Sequence, residues 1–127
     1  MLNKGFCVNN GEIKIDNGIL RVIVDYQRGG NISSLYFNNK NFELLFQPKH
    51  SNLDIPQKGD SFEKYAATGF DDTFPNIDAE KIIYSGREIT YNDHGAIWTS
   101  RMNMLIDNED IVSVSYTHLR AHETGRN

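Results

Sequence analysis

The chain has 127 residues, 39% of them hydrophobic and 11% aromatic, and carries 13 Lys and Arg against 17 Asp and Glu for a net charge of −4. That length and composition fit one globular domain or a piece of one. The acidic balance, with no basic run anywhere, argues against nucleic acid or an anionic membrane surface and for a small neutral partner. Residues 1–10 lack the continuous apolar segment of a signal peptide and no stretch is long enough to cross a bilayer, so the expected location is cytoplasmic. Cys7 is the one cysteine, which excludes an internal disulfide and a thiolate zinc motif. No metal or other cofactor is expected.

Hydrophobic residues recur with the period of strands. Ile13 and Ile15, then Ile19 to Val24, form short β-branched runs, and Asp16, Asn17 and Gly18 between them are hairpin-turn residues. The chain is therefore predicted to open as an antiparallel hairpin. Arg28 to Asn31 supply the next break, Ile32 to Phe37 the next strand, and Asn38 to Asn41 its end. Phe42 to Phe46 reads as a strand or a single helical turn. From Gln47 to Gly59 the residues are those of a solvated loop. Strand character returns at Lys81 to Tyr84, Arg87 to Tyr91, Ile97 to Ile106 and Ile111 to Val112, with turns at Ser85–Gly86, Asn92–Asp93 and Asp107 to Asp110. No helical stripe of useful length occurs. The expected fold is all-β, an antiparallel β-sandwich.

Two polar clusters stand between these runs, Gly69 to Ile77 and Asp93 to Trp98. Each sets hydrogen-bonding side chains beside an aromatic ring and a glycine. A sugar needs that mixture, because its hydroxyls take donors and acceptors while its C–H face packs on an aromatic surface. Taken alone, His94 reads as a hydrogen-bonded turn residue after Asp93. Asp72 either accepts sugar hydroxyls or caps a turn. Phe70 and Trp98 serve as a stacking face or as core rings, and Arg101, alternating with Met102 on a strand, as a solvated side chain or a ligand contact. His50, among Pro48, Lys49 and Ser51, is expected to be exposed.

Leu20 to Val24, the paired glycines Gly29 and Gly30 before Asn31 to Leu35, and Glu43 to Leu45 resemble the opening of the aldose 1-epimerases, the galactose mutarotase-like family. Gly69 to Pro75 and Asp93 to Gly95 fall where that family has its aromatic-proline and His-Gly segments, so the resemblance runs from Ile13 to Ile111. It implies a large antiparallel β-supersandwich, left incomplete because this chain would be its N-terminal third to half. The implied reaction interconverts the α and β anomers of an aldose by acid–base ring opening, without a cofactor. In the family the base is a Glu near the C-terminus and the acid a His in the middle of the full-length chain. Neither is expected here, so the fragment alone should be inactive. His94 matches the family's earlier histidine, which hydrogen-bonds the sugar near its ring oxygen. The resemblance thus makes His94 catalytic and substrate-binding, and Asp72, Phe70, Trp98 and Arg101 are the expected companions in substrate binding. The branch acting on hexose phosphates follows its His-Gly pair with an arginine in a Phe-Ala-Arg run. Ala96, Ile97 and Trp98 stand there instead, which favours an unmodified sugar. A non-catalytic carbohydrate-binding domain and an accessory domain of a polysaccharide-processing enzyme are the alternatives.

The run Val114 to Thr124 resembles the translation of a synthetic adapter used in sequencing-library preparation. It implies that 1–113 is the N-terminal part of a mutarotase-like domain and 114–127 an artefactual tail. That tail holds Arg120, Arg126 and Glu123, so the remainder is more acidic still, with His50 and His94 as its histidines. The other reading is a strand entering a polar tail, with Val112, Val114 and Tyr116 at alternate positions.

Overall fold

The alternating residues form a five-stranded antiparallel meander in the computed structural model, which describes residues 5–9, 11–49, 54–65, 68–108 and 111–115. His50 and the tail from 116 onward lie outside the described residues. The strands are β1 (Gly5–Asn9), β2 (Glu12–Asp16), β3 (Leu20–Asp25), β4 (Asn31–Phe37) and β5 (Phe42–Glu43), each paired with its neighbours in chain order. The expected hairpin is β2–β3, with Ile13 opposite Val24 and Ile15 opposite Val22. Its turn is tied by side chains: Asp16 Oδ1 accepts from the Gly18 N–H, and Asn17 Oδ1 accepts from the N–H groups of Ile19 and Leu20.

Pairing sorts the residues onto two faces. Ile13, Ile15, Val22, Leu35 and Phe37 share one, while Lys14, Arg21, Ser34, Tyr36 and Glu43 share the other. On the polar face the Arg21 guanidinium lies 4.5 Å from the Tyr36 ring centroid, and Glu43 accepts from the Ser34 hydroxyl at 2.6 Å and the Leu35 N–H at 2.9 Å. A β-bulge between Ile23 and Val24 bends the sheet beside the Arg28 turn. Of the Phe42–Phe46 segment only Phe42 and Glu43 are strand: β5 pairs with β4, and beyond it the Leu44 N–H donates to the Leu35 carbonyl.

Strands β6 (Glu80–Tyr84) and β7 (Arg87–Tyr91) form a hairpin whose turn residues, Ser85 and Gly86, both have positive φ, as a tight two-residue turn requires. Strands β8 (Asn103–Asn108) and β9 (Ile111–Ser115) form another, and β9 runs through residue 113, pairing Val114 with Met104. The expected strand from Ile97 to Ile106 is corrected: its first part is a 3-10 turn, Ile97–Thr99. The hydroxyls of Thr99 and Ser100 both donate to the Ala96 carbonyl, at 3.1 and 2.6 Å, and curl the chain before β8 begins. Arg101 therefore does not lie on a strand.

The fold is all-β and antiparallel. Among the described residues the buried apolar side chains are Ile13, Pro56, Ala96, Trp98 and Met102. Ala96, Trp98 and Met102 belong to the segment on which the turn after β3 docks: the Gly29 N–H donates to the Ser100 carbonyl and the Met102 N–H to the Tyr26 carbonyl, both at 2.7 Å. No helix among the described residues is long and apolar enough to cross a membrane.

Candidate functional site

Asn31, at the first position of β4 and 1% exposed, anchors the 69–77 segment. Its side-chain amide donates to the carbonyls of Thr68 and Phe70 and, at 2.7 Å, to Asp71 Oδ1. Ile32 and Phe70 exchange both backbone hydrogen bonds, at 3.0 and 2.9 Å. At the far end Phe74, whose bond to Pro75 is cis, forms a parallel bridge with Gly95, and the Ala96 N–H donates to the Phe74 carbonyl at 2.7 Å. Gly95 sits at φ +80, and a Cβ there would collide with that carbonyl oxygen, so the crossing requires glycine. Asn76 ties the same segment to the Asn92 carbonyl. Two clusters remote in sequence are thereby laid side by side.

His94 has φ +58, a left-handed conformation that a non-glycine residue holds only under constraint. Its N–H donates to the Ile77 carbonyl at 2.6 Å. Its Nδ1 lies 2.8 Å from Asp93 Oδ1, and Asp93 Oδ2 accepts from the Phe62 N–H at 2.8 Å. The imidazole stacks on the Phe62 ring with centroids 4.1 Å apart and planes 8° from parallel. Phe62 and Tyr65 both meet Trp98 edge to face, at 5.0 and 5.6 Å, and Trp98 Nε1 donates to the Asp93 carbonyl at 2.8 Å. The site is thus a half-buried Asp–His pair on an aromatic bed.

Its carboxylates are tuned in opposite directions. The Phe62 N–H, and after it His94, hold Asp93 below the usual carboxylate range. Burial pushes Asp71 up, opposed by the Asn31 amide and the Arg28 charge, while the charge of His94 also reaches it. Asp25 is raised by burial as well and feels the same arginine. Arg28 is 5% exposed, and its Nε and Nη1 have no hydrogen-bond partner among the described residues. Donors, acceptors and a titratable imidazole stand together, the inventory that hydroxyl recognition and proton transfer draw on.

The residues singled out from sequence fall differently within this frame. His94 is at its centre. Asp72 is exposed, and its neighbour Asp71 is the half-buried carboxylate bound by Asn31. Trp98, 2% exposed, is a core ring, and the ring lying on His94 belongs to Phe62. Phe70 is exposed beyond the Ile32 bridge. Arg101 is exposed and lies 5.5 Å from the Tyr26 ring centroid, on the far side of Met102 from any strand pairing. Sequence reasoning missed Phe62, Asp71, Asn31 and Arg28; of these only Asp71, inside the Gly69–Ile77 cluster, had a visible signal. Among the described residues no group of three or more His, Cys, Asp or Glu side chains gathers to hold a metal ion, and Cys7 is exposed. No protein-family model matches the chain, and no curated protein matches it either.

Proposed function

We propose that the chain is part of an aldose 1-epimerase-like enzyme that binds a free aldose at the His94 site and interconverts its α and β anomers. The observation that supports this reading is the Phe74–Gly95 bridge, which joins the Gly69–Ile77 cluster to the Asp93–Trp98 cluster. Ring opening takes a proton from the anomeric hydroxyl and gives one to the ring oxygen; rotation about the first C–C bond and the reverse transfers complete the exchange. In this reading His94 hydrogen-bonds the sugar and stabilises developing charge, Asp71 accepts from a hydroxyl, and the Phe62 side of the site is the apolar wall, while the acid and base that move the two protons are the downstream His and Glu that the resemblance implies. A closed β-sandwich in a cytoplasmic enzyme, with a neutral sugar as partner and no cofactor, belongs to the same reading.

A non-catalytic sugar-binding domain is the second reading, favoured by His94 being the sole imidazole among the described residues. Saturation-transfer NMR on glucose and galactose separates the two. The enzyme reading expects ligand signals and, in the longer protein encoded by the uninterrupted gene, anomer exchange above the aqueous rate. Binding without exchange there favours the second reading. Absence of binding across several aldoses rejects both.

A further inference from the structure

We propose that Asp93 is a positioning residue that places the proton of neutral His94 on Nδ1, so that the imidazole presents Nε2 to a ligand as a hydrogen-bond acceptor. The inference deepens the sugar-site reading and rests on it only for what Nε2 faces. A carboxylate can only accept, so the proton in the 2.8 Å contact between Nδ1 and Asp93 Oδ1 is carried by the imidazole. Asp93 has no freedom to turn away, since its other oxygen is held by the Phe62 N–H and its own carbonyl by Trp98 Nε1. The ring is equally fixed, lying flat on Phe62 and rising from a backbone anchored to Ile77. Turning it over would exchange Nδ1 for a carbon and abandon the carboxylate.

The groups in contact with the imidazole are the Asp93 carboxylate on its own loop and the neutral Phe62 ring, and Asp71 on the 69–77 segment, with Asp72 beside it, interacts with it through charge. The pairing of carboxylate with Nδ1 is the device by which acid–histidine pairs elsewhere select one tautomer. It has a consequence for the sugar. A ring oxygen only accepts, so neutral His94 cannot hydrogen-bond it and must instead receive a hydroxyl hydrogen. Donation to a ring oxygen is left to the imidazolium. The expectation drawn from resemblance, a histidine bonded near the ring oxygen, is thereby narrowed to a hydroxyl partner in the neutral state.

The test reads nitrogen shifts rather than activity. The 127-residue chain labelled with 15N-histidine is examined by long-range 1H–15N correlation in alkaline buffer, where the imidazole is neutral, with His94→Gln identifying the His94 signals. If self-association broadens the lines, the same spectra are taken in a Phe46→Lys background, a change at an exposed edge position. The expected pattern is protonated Nδ1 and bare Nε2. Asp93→Asn should reverse it: the Phe62 N–H claims the side-chain carbonyl oxygen, the amide NH2 then faces Nδ1, and the proton moves to Nε2. A wild-type signal from protonated Nε2 overturns the proposal even if the variant does not fold, and so does an unchanged tautomer in a folded Asp93→Asn chain. No sugar is needed, so failure of the tautomer assignment and failure to bind aldoses are separate results.

Discussion

Phe62 serves both members of the Asp93–His94 pair: its backbone N–H holds the carboxylate at 2.8 Å and its ring lies under the imidazole at 4.1 Å. One residue, 31 positions before Asp93, therefore sets the orientation of two.

Phe62→Ala keeps the N–H and removes the ring, so it isolates the stack. An aromatic pair contributes about 0.5–1.5 kcal/mol beyond the area it buries. At roughly 4–8 °C per kcal/mol for a small domain, the melting temperature should drop by several degrees. Trp98 is the only tryptophan, and Phe62 covers one of its edges, so its emission should shift to the red. Unchanged emission and melting would remove Phe62 from the support of the site.

Gly95 and Gly59 separate close approach from backbone strain. Both have φ between +80 and +89, but a Cβ on Gly95 meets the Phe74 carbonyl whereas one on Gly59 meets nothing within 4 Å. Gly59→Ala should therefore show only the left-handed penalty, about 1 kcal/mol. Gly95→Ala should cost more, roughly 2–4 kcal/mol, because the bridge between the two clusters must open. Chemical denaturation of both variants checks the order, and equal losses would mean that the bridge is not under steric control.

Stability should respond to pH in two opposed ways. Tyr65 and the Gln57 N–H lower Asp60, so this group contributes stability above the unfolded value of about 3.9 and loses it as pH falls through the lower folded value. Asp71 is raised by burial, so its contribution is full below about pH 3.9 and is lost as pH rises through the folded value. Asp60→Asn should thus flatten the acid side of the melting-temperature profile, and Asp71→Asn the side above about pH 4. Variant profiles parallel to wild type would contradict both assignments.

What could be read from sequence was what depends on near neighbours. Ile13, Ile15, Val22 and Val24 alternate, and Asp16–Gly18 and Ser85–Gly86 carry turn chemistry that acts within a few residues, so β2–β3 and β6–β7 emerged with their partners. Ile97 to Ile106 misled because its apolar spacing suits a strand, while the deciding contacts are the Thr99 and Ser100 hydroxyls on one carbonyl. Of the site, His94 was legible from its polar cluster. Which of two adjacent aspartates turns inward was not, since Asn31, 40 residues before Asp71, makes that choice. Phe62 lies in a polar stretch with no period of its own, and its place is a tertiary fact.

The edge of the meander should drive self-association. Phe42 in β5, and Leu44 and Phe46 after it, follow one another at alternate positions and are all exposed, Phe46 to 68%. An exposed apolar edge invites pairing with another chain, and charge on it is the usual defence. The chain should bind a hydrophobic dye and grow in apparent mass with concentration. Leu44→Lys with Phe46→Lys should reduce both while leaving melting nearly unchanged. Monomeric wild-type behaviour at high concentration would count against this edge.

Ligand binding distinguishes the carboxylate chosen from sequence from the one that the fold turns inward. A hydrogen bond to a charged group contributes about 1.5–3 kcal/mol, so losing one should weaken binding roughly tenfold or more. In saturation-transfer titrations with glucose and galactose, His94→Ala and Asp71→Asn should show that loss. Asp72→Asn should not, because its side chain is exposed and Asn31 holds its neighbour. Arg101→Ala should also be neutral, since its guanidinium lies toward Tyr26, and His50→Ala should do little, as the polar sequence around it, Pro48, Lys49 and Ser51, leads one to expect. Normal affinity in Asp71→Asn together with a loss in Asp72→Asn would return the role to Asp72 and require the 69–77 segment to turn over when sugar binds.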